Sequence, residues 1–298
     1  MSSKLKVLVL GATGNQGGAV ARALRAKGHS VRALTRNPNG ASAASLKLLG
    51  CELVVGTMAN RKDLDRACAG VDTVFAISTF FEEGLENEVV QGKNAIDAAV
   101  AARVKHFVFN SVGCADRNTG IPHFESKLQI ENHLKKSGLP YTIVGPVFFM
   151  ENLLSPWFLP SLRSGVLAMA LPAGRDLAMV SVEDIGHFCA TVIENASAFT
   201  NRRIDIAGDS LSGKRACEIL SKVAGRPVRY QEIPLIEIAK QNPDFAKMYE
   251  WFDKVGYRID LGSLRKQSPG MQWRSFENWA RQQNWNVLGG ASALKKAA

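Results

Sequence analysis

The residues best suited to binding chemistry lie near the start of the chain, in a turn rich in glycine. Gly11, Gly14 and Gly17 separate an apolar run at 5–10 from helical periodicity that starts at 19. Gly11 permits a tight turn, Gly14 lets backbone approach a pyrophosphate, and Gly17 lets helix pack closely on strand. The N–H groups and positive dipole end of the helix face the phosphates. The pattern predicts a dinucleotide-binding loop made of Gly11, Ala12, Thr13, Gly14, Asn15, Gln16 and Gly17.

The end of the second predicted strand, at 30–35, indicates which dinucleotide binds. Sites for NAD usually place Asp or Glu about 20 residues after the glycines, where it accepts from the ribose 2′-hydroxyl. This chain has no carboxylate there and reads Thr35-Arg36-Asn37 instead. Arg36, with Asn37 beside it, offers a planar and permanent positive charge to a 2′-phosphate. We expect NADP(H) as the cofactor; the alternative is that Arg36 is one solvated cation among many.

Three further predicted strand ends carry side chains suited to binding. In parallel α/β sheets, ligands lie at the carboxyl ends of the strands. For such hydroxyls, the alternative is a hydrogen bond to local backbone. We expect contacts to the adenine from Thr57 and Met58, to the ribose and nicotinamide from Ser78, Thr79 and Phe80, and to the substrate from Ser111.

Strand and helix patterns alternate through the first half of the chain and would position these loops. Such repeats require right-handed crossovers and a parallel sheet covered on both faces. Predicted strands lie at 5–10, 30–35, 52–56, 73–77, 106–110 and 141–144. After Pro146 the alternation breaks. There we predict irregular helix and loop at 152–172, helices at 181–194, 212–223 and 275–282, and strands at 202–206 and 228–232.

These elements predict an α/β fold, with a Rossmann-type doubly wound parallel sheet and a smaller, mostly helical C-terminal substrate lobe. The sheet domain is expected over 1–150 and completed by 177–207. The lobe is expected over 151–176 and 208–289. The small, Ala- and Lys-rich residues 290–298 are expected to form a frayed tail.

Composition narrows the classes of function. The net charge of +10 suits anionic ligands, but Lys and Arg are scattered and no nucleic-acid-binding motif accompanies them, which disfavours a nucleic-acid partner. Five dispersed cysteines predict reduced thiols and no metal site. No apolar run has membrane-spanning length, and no signal peptide fits before the first strand. We therefore expect a cytoplasmic protein with no membrane partner.

Several segments resemble the NmrA-like family of the atypical short-chain dehydrogenase/reductase superfamily, which is related to isoflavone reductase-like proteins. They are residues 11–18, 35–38, 123–127 and 148–154, and a C-terminal region that ends in Ser-Phe-Glu-Asn-Trp at 275–279. The resemblance implies NADP(H) binding, with Lys127 on the nicotinamide ribose. It also implies a segment that closes over the nicotinamide, formed by Phe149, Met150, Glu151 and Asn152.

One departure from the superfamily affects the expected chemistry. Active short-chain reductases place a Tyr four residues before the Lys, and its hydroxyl donates a proton to the substrate carbonyl. Here Lys127 is present, but His123 stands at the Tyr position. Histidine can donate a proton near neutral pH; the alternative is a histidine that faces solvent at a helix start. Isoflavone reductases and phenylcoumaran benzylic ether reductases resemble this chain in lacking the Tyr, and so do NmrA-like regulators.

Two functions remain open. The first is an NADPH-dependent reductase of a small aromatic or conjugated substrate (a quinone, enone or benzylic ether), with Lys127, His123 and Ser111 as catalytic residues. The second is a non-catalytic NADP(H) redox sensor of the transcriptional-regulator type, with a regulatory protein as partner. The sequence leaves the oligomeric state open. Four aromatic residues either line an apolar substrate pocket or belong to the core: Phe148, Phe149, Trp157 and Phe158.

Overall fold

The computed structural model describes residues 4–288, so the expected tail at 290–298 lies outside the described residues. The strands are β1 Lys6–Val9, β2 Ser30–Thr35, β3 Glu52–Val55, β4 Thr73–Ala76, β5 His106–Asn110, β6 Tyr141–Pro146, β7 Phe148–Phe149, β8 Val166–Met169, β9 Asp176–Val180, β10 Arg202–Ile206, β11 Asp209–Ser212 and β12 Arg229–Glu232.

Thirteen α helices and three short 3₁₀ helices lie in the same part of the chain. The α helices are α1 Asn15–Ala26, α2 Ala41–Leu48, α3 Arg61–Cys68, α4 Gly84–Ala101, α5 Pro122–Lys136, α6 Leu159–Arg163, α7 Val182–Glu194, α8 Ala196–Phe199, α9 Gly213–Ala224, α10 Leu235–Gln241, α11 Pro243–Lys254, α12 Leu261–Gln267 and α13 Phe276–Arg281. The 3₁₀ helices are Ala115–Arg117, Met150–Leu154 and Trp285–Leu288.

The chain divides into two compact units, each built from two segments. The larger unit comprises the residues up to Pro146 and the segment Val182–Ile206. The smaller unit comprises Val147–Ser181 and the residues from Ala207 onward.

A seven-stranded sheet forms the centre of the larger unit. Its strand order is β3-β2-β1-β4-β5-β6-β10, and every pair is parallel. From β1 the chain adds β2 and β3 on one side, and from β4 it adds β5, β6 and β10 on the other side. The carboxyl ends of β1 and β4 therefore border the crevice in which such sheets bind ligands. The predicted doubly wound parallel sheet is confirmed.

Helices cover both faces of this sheet because its inner strands are apolar on both sides. Helices α1 and α7 pack together on one face, and α3, α4 and α5 pack in a row on the other. The β1 side chains alternate between the two faces: Val7 and Val9 face α1, whereas Leu8 and Leu10 join the core formed with Leu64, Ile96 and Ile130. This packing places the loops after β1, β4 and β5 at one edge of the sheet.

The smaller unit contains more strand than the sequence indicates. A three-stranded sheet has the order β11-β9-β7, and β8 pairs with β12 as a parallel ribbon. The prediction that 152–172 is only irregular helix and loop was therefore wrong at Val166–Met169. The predicted strand at 228–232 and helices near 212–223 and 275–282 are confirmed within one or two residues at each end.

The helices and the cysteines of the described residues can be compared with the expectations from the sequence. No helix within 4–288 is long and apolar enough to cross a membrane. All five cysteines are free thiols in buried positions.

Candidate functional site

The glycine turn joins β1 to α1 at the switch point of the sheet. Gly11 has a φ of +75°, and a Cβ there would lie 2.6 Å from Ile77 Cγ2 in the segment that follows β4. A Cβ on Gly17 would lie 2.3 Å from the carbonyl oxygen of Gly11, which is backbone and cannot move away cheaply. The tight turn and the close helix packing predicted for these two glycines are confirmed.

The start of α1 has the properties of an anion site. Gly14 precedes the helix, and no acidic residue occurs in its first turn. The first N–H groups of a helix have no partner within the helix and carry partial positive charge. Apart from its neighbours in the chain, a Cβ on Gly14 would meet the carbonyl oxygen of Gly11 at 3.4 Å and no other described residue, so the space in front of this turn is open.

Asn110, at the end of β5, links that strand to α1. Its Nδ2 donates to Gln16 Oε1 over 2.5 Å, and the residue is fully buried. Its Oδ1 is also buried and has no hydrogen-bond partner among the described residues. Buried polar atoms are nearly always bonded, so this oxygen is free to accept from a bound group.

Lys127 lies inside the unit rather than on its surface. Its Nζ forms an ion pair with Glu88 Oε1 at 2.9 Å and donates to the carbonyl oxygen and hydroxyl of Ser78 at 2.5 and 3.2 Å. Glu88 is 0% exposed and also accepts from Ser126 Oγ. Burial lowers the pKa of Lys127, and the Glu88 carboxylate opposes that change. The ammonium group thus donates to two oxygens of Ser78 and lies beside the Glu88 carboxylate, which ties the end of β4 to α4 and α5.

Ser111 belongs to a second buried network. Its hydroxyl donates to Glu131 Oε1 over 2.6 Å, and Glu131 is fully buried. Arg203, on β10, donates to Glu131 Oε2 at 3.1 Å and to the carbonyl oxygen of Val112 at 2.7 Å, and pairs with Asp205. The loop after β5 is therefore held by charged groups on α5 and β10.

His123 lies in the first turn of α5 beside aromatic side chains. Its ring stacks on Phe80 with centroids 5.0 Å apart, and Phe80 stacks on Phe81 at 4.2 Å. Phe124 meets His123 edge-on. The predicted loop after β4 and the predicted proton donor are thus adjacent.

Arg36 follows β2 and is paired across the crevice. Its Nη1 lies 2.7 Å from Glu82 Oε2, and its Nη2 donates to Glu82 Oε1 over 3.0 Å. Asn37, beside it, is exposed and uses Oδ1 locally to accept from the N–H of Asn39. The segment after β4 therefore contacts both Arg36 and α5.

The remaining predicted binding residues lie elsewhere. Thr57 and Met58 follow β3 and contact two helices: Thr57 N–H donates to Asp63 on α3, and the carbonyl oxygen of Met58 accepts from Asn94 on α4. Thr79 is exposed, and its Oγ1 accepts from Phe81 N–H. A contact with the cofactor stays a prediction for each of these residues.

The four residues at 149–152 belong to the smaller unit. Met150 is buried, and Glu151 Oε1 accepts from Trp279 Nε1 over 3.0 Å. The carbonyl oxygen of Asn152 accepts from the N–H of Ser155. Their role at the nicotinamide also stays a prediction.

Sequence reasoning missed three carboxylates that surround the predicted basic groups: Glu82, Glu88 and Glu131. Glu88 shares helical spacing with the buried positions Gly92, Ala95 and Ala99, so a charge on an apolar stripe was a usable signal. Glu131, four residues after Lys127, could be found in the same way. No pattern marks Glu82.

Proteins similar to this chain include reductases. An NAD(P)H azoreductase from Xenophilus azovorans is 32% identical over 239 residues, which cover 79% of each chain. The solved structure of a new type of NADPH-dependent quinone oxidoreductase from Escherichia coli is 26% identical, covers 92% of this chain and 98% of its own, and has a TM-score of 0.76.

A regulator also shares the fold. NmrA, a negative transcriptional regulator solved in complex with NADP, is 24% identical, covers 94% of this chain and 95% of its own, and has a TM-score of 0.77. The model of the NmrA-like family matches residues 3–280, and this chain therefore belongs to the NmrA-like family.

Proposed function

We propose that this protein is an NADPH-dependent reductase of a small aromatic or conjugated substrate, of the quinone, enone or benzylic ether class. The observation that carries the proposal is the site at the β1–β4 switch point, which joins a glycine turn, an open helix start and a buried lysine–glutamate pair. The relatives named as azoreductase and quinone oxidoreductase support the reaction type.

The described residues fit NADP(H). The pyrophosphate is proposed to lie against Gly14 and the first N–H groups of α1, where a side chain would fill the space. The buried Oδ1 of Asn110 gains a donor when a ribose hydroxyl or an amide approaches it. Arg36 is the proposed partner of the 2′-phosphate.

The residues around the reacting centre position groups and move protons. Bound NADPH supplies the hydride. Lys127 reaches a ribose hydroxyl by exchanging its longest hydrogen bond, the 3.2 Å bond to Ser78 Oγ. His123 is proposed to donate a proton to the reduced substrate, and Phe80 holds its ring by stacking. Ser111 is proposed as a substrate contact, and its hydroxyl already donates to Glu131.

A second function has its own supporting observation. Lys127 is already held within the protein, by two hydrogen bonds to Ser78 and an ion pair with Glu88, and His123 replaces the usual tyrosine. A protein that only senses the NADP/NADPH ratio needs this stable arrangement and no proton donor. The NmrA regulator has the same fold.

One experiment separates these two functions. NADPH oxidation is followed by absorbance with a panel of quinones, enones and benzylic ethers, and NADP and NADPH affinities are measured by calorimetry. We expect turnover with at least one substrate, and a loss of at least about tenfold in kcat for His123→Ala, because general acid catalysis contributes that much or more.

The matched control is Lys136→Ala, an exposed lysine on the same helix as Lys127. It is expected to behave as wild type, whereas Lys127→Ala loses turnover or cofactor affinity. No turnover with the whole panel, together with tight binding that distinguishes NADP from NADPH, would replace the reductase with the sensor.

A further inference from the structure

Arg36, the residue proposed to bind the 2′-phosphate, forms an ion pair with a carboxylate of the protein, that of Glu82. Arg36 and Glu82 form two parallel contacts, Nη1 to Oε2 at 2.7 Å and Nη2 to Oε1 at 3.0 Å. This two-point arrangement is the strong geometry for arginine with a carboxylate. The two side chains are 62% and 53% exposed, so a soluble ligand can reach them.

Glu82 and Arg36 lie in loops that follow strands on opposite sides of β1. Glu82 lies in the turn between β4 and α4, which is closed by a hydrogen bond from Gly84 N–H to the Phe80 carbonyl oxygen at 2.9 Å. Arg36 lies after β2, on the far side of β1. The ion pair therefore joins two loops that flank the glycine turn.

A phosphate and a carboxylate compete for the same edge of a guanidinium. Each presents two oxygen atoms that accept hydrogen bonds from the two terminal nitrogens of the guanidinium. In this protein Glu82 occupies both terminal nitrogens of Arg36. We propose that Glu82 is a specificity-determining residue that competes with the 2′-phosphate of NADP for Arg36. NAD has no such phosphate, so its binding leaves the ion pair in place.

This competition lowers the preference for NADP over NAD by a limited factor. Exposed ion pairs change an equilibrium by up to about fivefold. Removing the negative charge of Glu82 therefore strengthens NADP binding by about two- to fivefold and leaves NAD binding unchanged. The inference rests on the proposed function, because it requires that Arg36 binds the phosphate.

Calorimetric titration of the full-length protein with NADP and NAD tests the proposal. Glu82→Gln keeps the size of the side chain and removes its charge. The matched control is Glu86→Gln, which removes an equal charge from the first turn of α4. Glu86 is exposed and forms no ion pair with Arg36 in the described part of the chain. We expect tighter NADP binding only for Glu82→Gln.

The Arg36→Ala background separates competition from simple repulsion. We expect Arg36→Ala to weaken NADP binding and to abolish the effect of Glu82→Gln. An equal gain in Glu86→Gln, or a gain that persists without Arg36, would show general electrostatics instead and overturn the proposal.

The proposed function and this inference fail differently. A wild-type protein that does not bind NADP refutes both. A wild-type protein that binds NADP, with Glu82→Gln unchanged, refutes only the role of Glu82.

Discussion

At the scale of single residues, the site depends on charges that are paired inside the protein. Lys127 and Glu88 are both buried, and each is the principal counter-charge of the other. The need for a lysine on α5 could be predicted from the resemblance, but its partner could not. The partner lies 39 residues earlier in the chain (127 minus 88), and only packing of α4 on α5 brings the two together.

Lys127→Met tests this pair. The substitution leaves the Glu88 carboxylate buried without a cation, so we expect the free energy of unfolding to fall by about 3–5 kcal/mol. Urea denaturation measures the change. Lys136→Met, exposed on the same helix, should stay within about 0.5 kcal/mol of wild type.

A double variant completes that test. Lys127→Met with Glu88→Gln removes both charges, and we expect it to recover part of the lost stability. If the double variant is as unstable as Lys127→Met, the loss comes from the packing of the lysine stem instead.

His106 gives the protein a dependence on pH. Its Nε2 lies 2.9 Å from Thr142 Oγ1, whose own proton goes to the carbonyl oxygen of Phe199, so Nε2 carries the hydrogen. Its Nδ1 is buried without a described partner, and burial lowers the pKa of His106 from 6.5 to about 4. The unfolded chain therefore binds a proton more readily than the folded protein.

We expect the stability contributed by neutral His106 to be complete above about pH 6.5 and to be lost as the pH falls toward about 4. The full loss is roughly 3 kcal/mol from this residue. Denaturation across this range compares wild type with His106→Gln. A variant with the same pH dependence as wild type would assign the effect to other groups.

At the scale of elements, the glycine turn could be predicted because Gly11 and Gly17 each meet a local steric requirement. The inner parallel strands could also be predicted, since they are short apolar runs between helices. Strand β11 could not, because Asp-Ser-Leu-Ser contains a single buried apolar residue, Leu211, and depends on pairing with β9. Strand β8 likewise depends on β12, about 60 residues later.

Two alanine substitutions in the turn should affect different properties, one the stability of the protein and the other its binding of NADPH. Gly17→Ala places a Cβ against the backbone of Gly11, so we expect a loss of about 1–3 kcal/mol in stability. Gly14→Ala meets no such obstacle and has a φ of −90°, so its stability should stay near wild type while NADPH binding weakens. Thermal denaturation and titration with NADPH measure both properties. Undiminished NADPH binding in Gly14→Ala would argue against a pyrophosphate at this turn.

At the scale of the molecule, the sheet is completed by a segment distant in sequence. Strand β10 lies at the end of the segment Val182–Ile206 and pairs with β6, and its Arg203 reaches Glu131 and Val112. The loop that carries Ser111 is therefore fixed by residues from more than 90 positions later (203 minus 111).

Arg203→Met should destabilise the protein by at least about 3 kcal/mol, because Glu131 and Asp205 lose their buried cation. Arg202→Met, exposed on the same strand, should cost less than about 1 kcal/mol. Equilibrium unfolding measures both variants. Similar losses for the two would mean that the network is not a main source of stability.

The chain passes between its two units three times, after Pro146, Ser181 and Ile206. A single crossover between two genes can therefore not replace one whole unit by the corresponding unit of a related protein. A chimera that exchanges the smaller unit must replace 147–181 and the chain from 207 onward together.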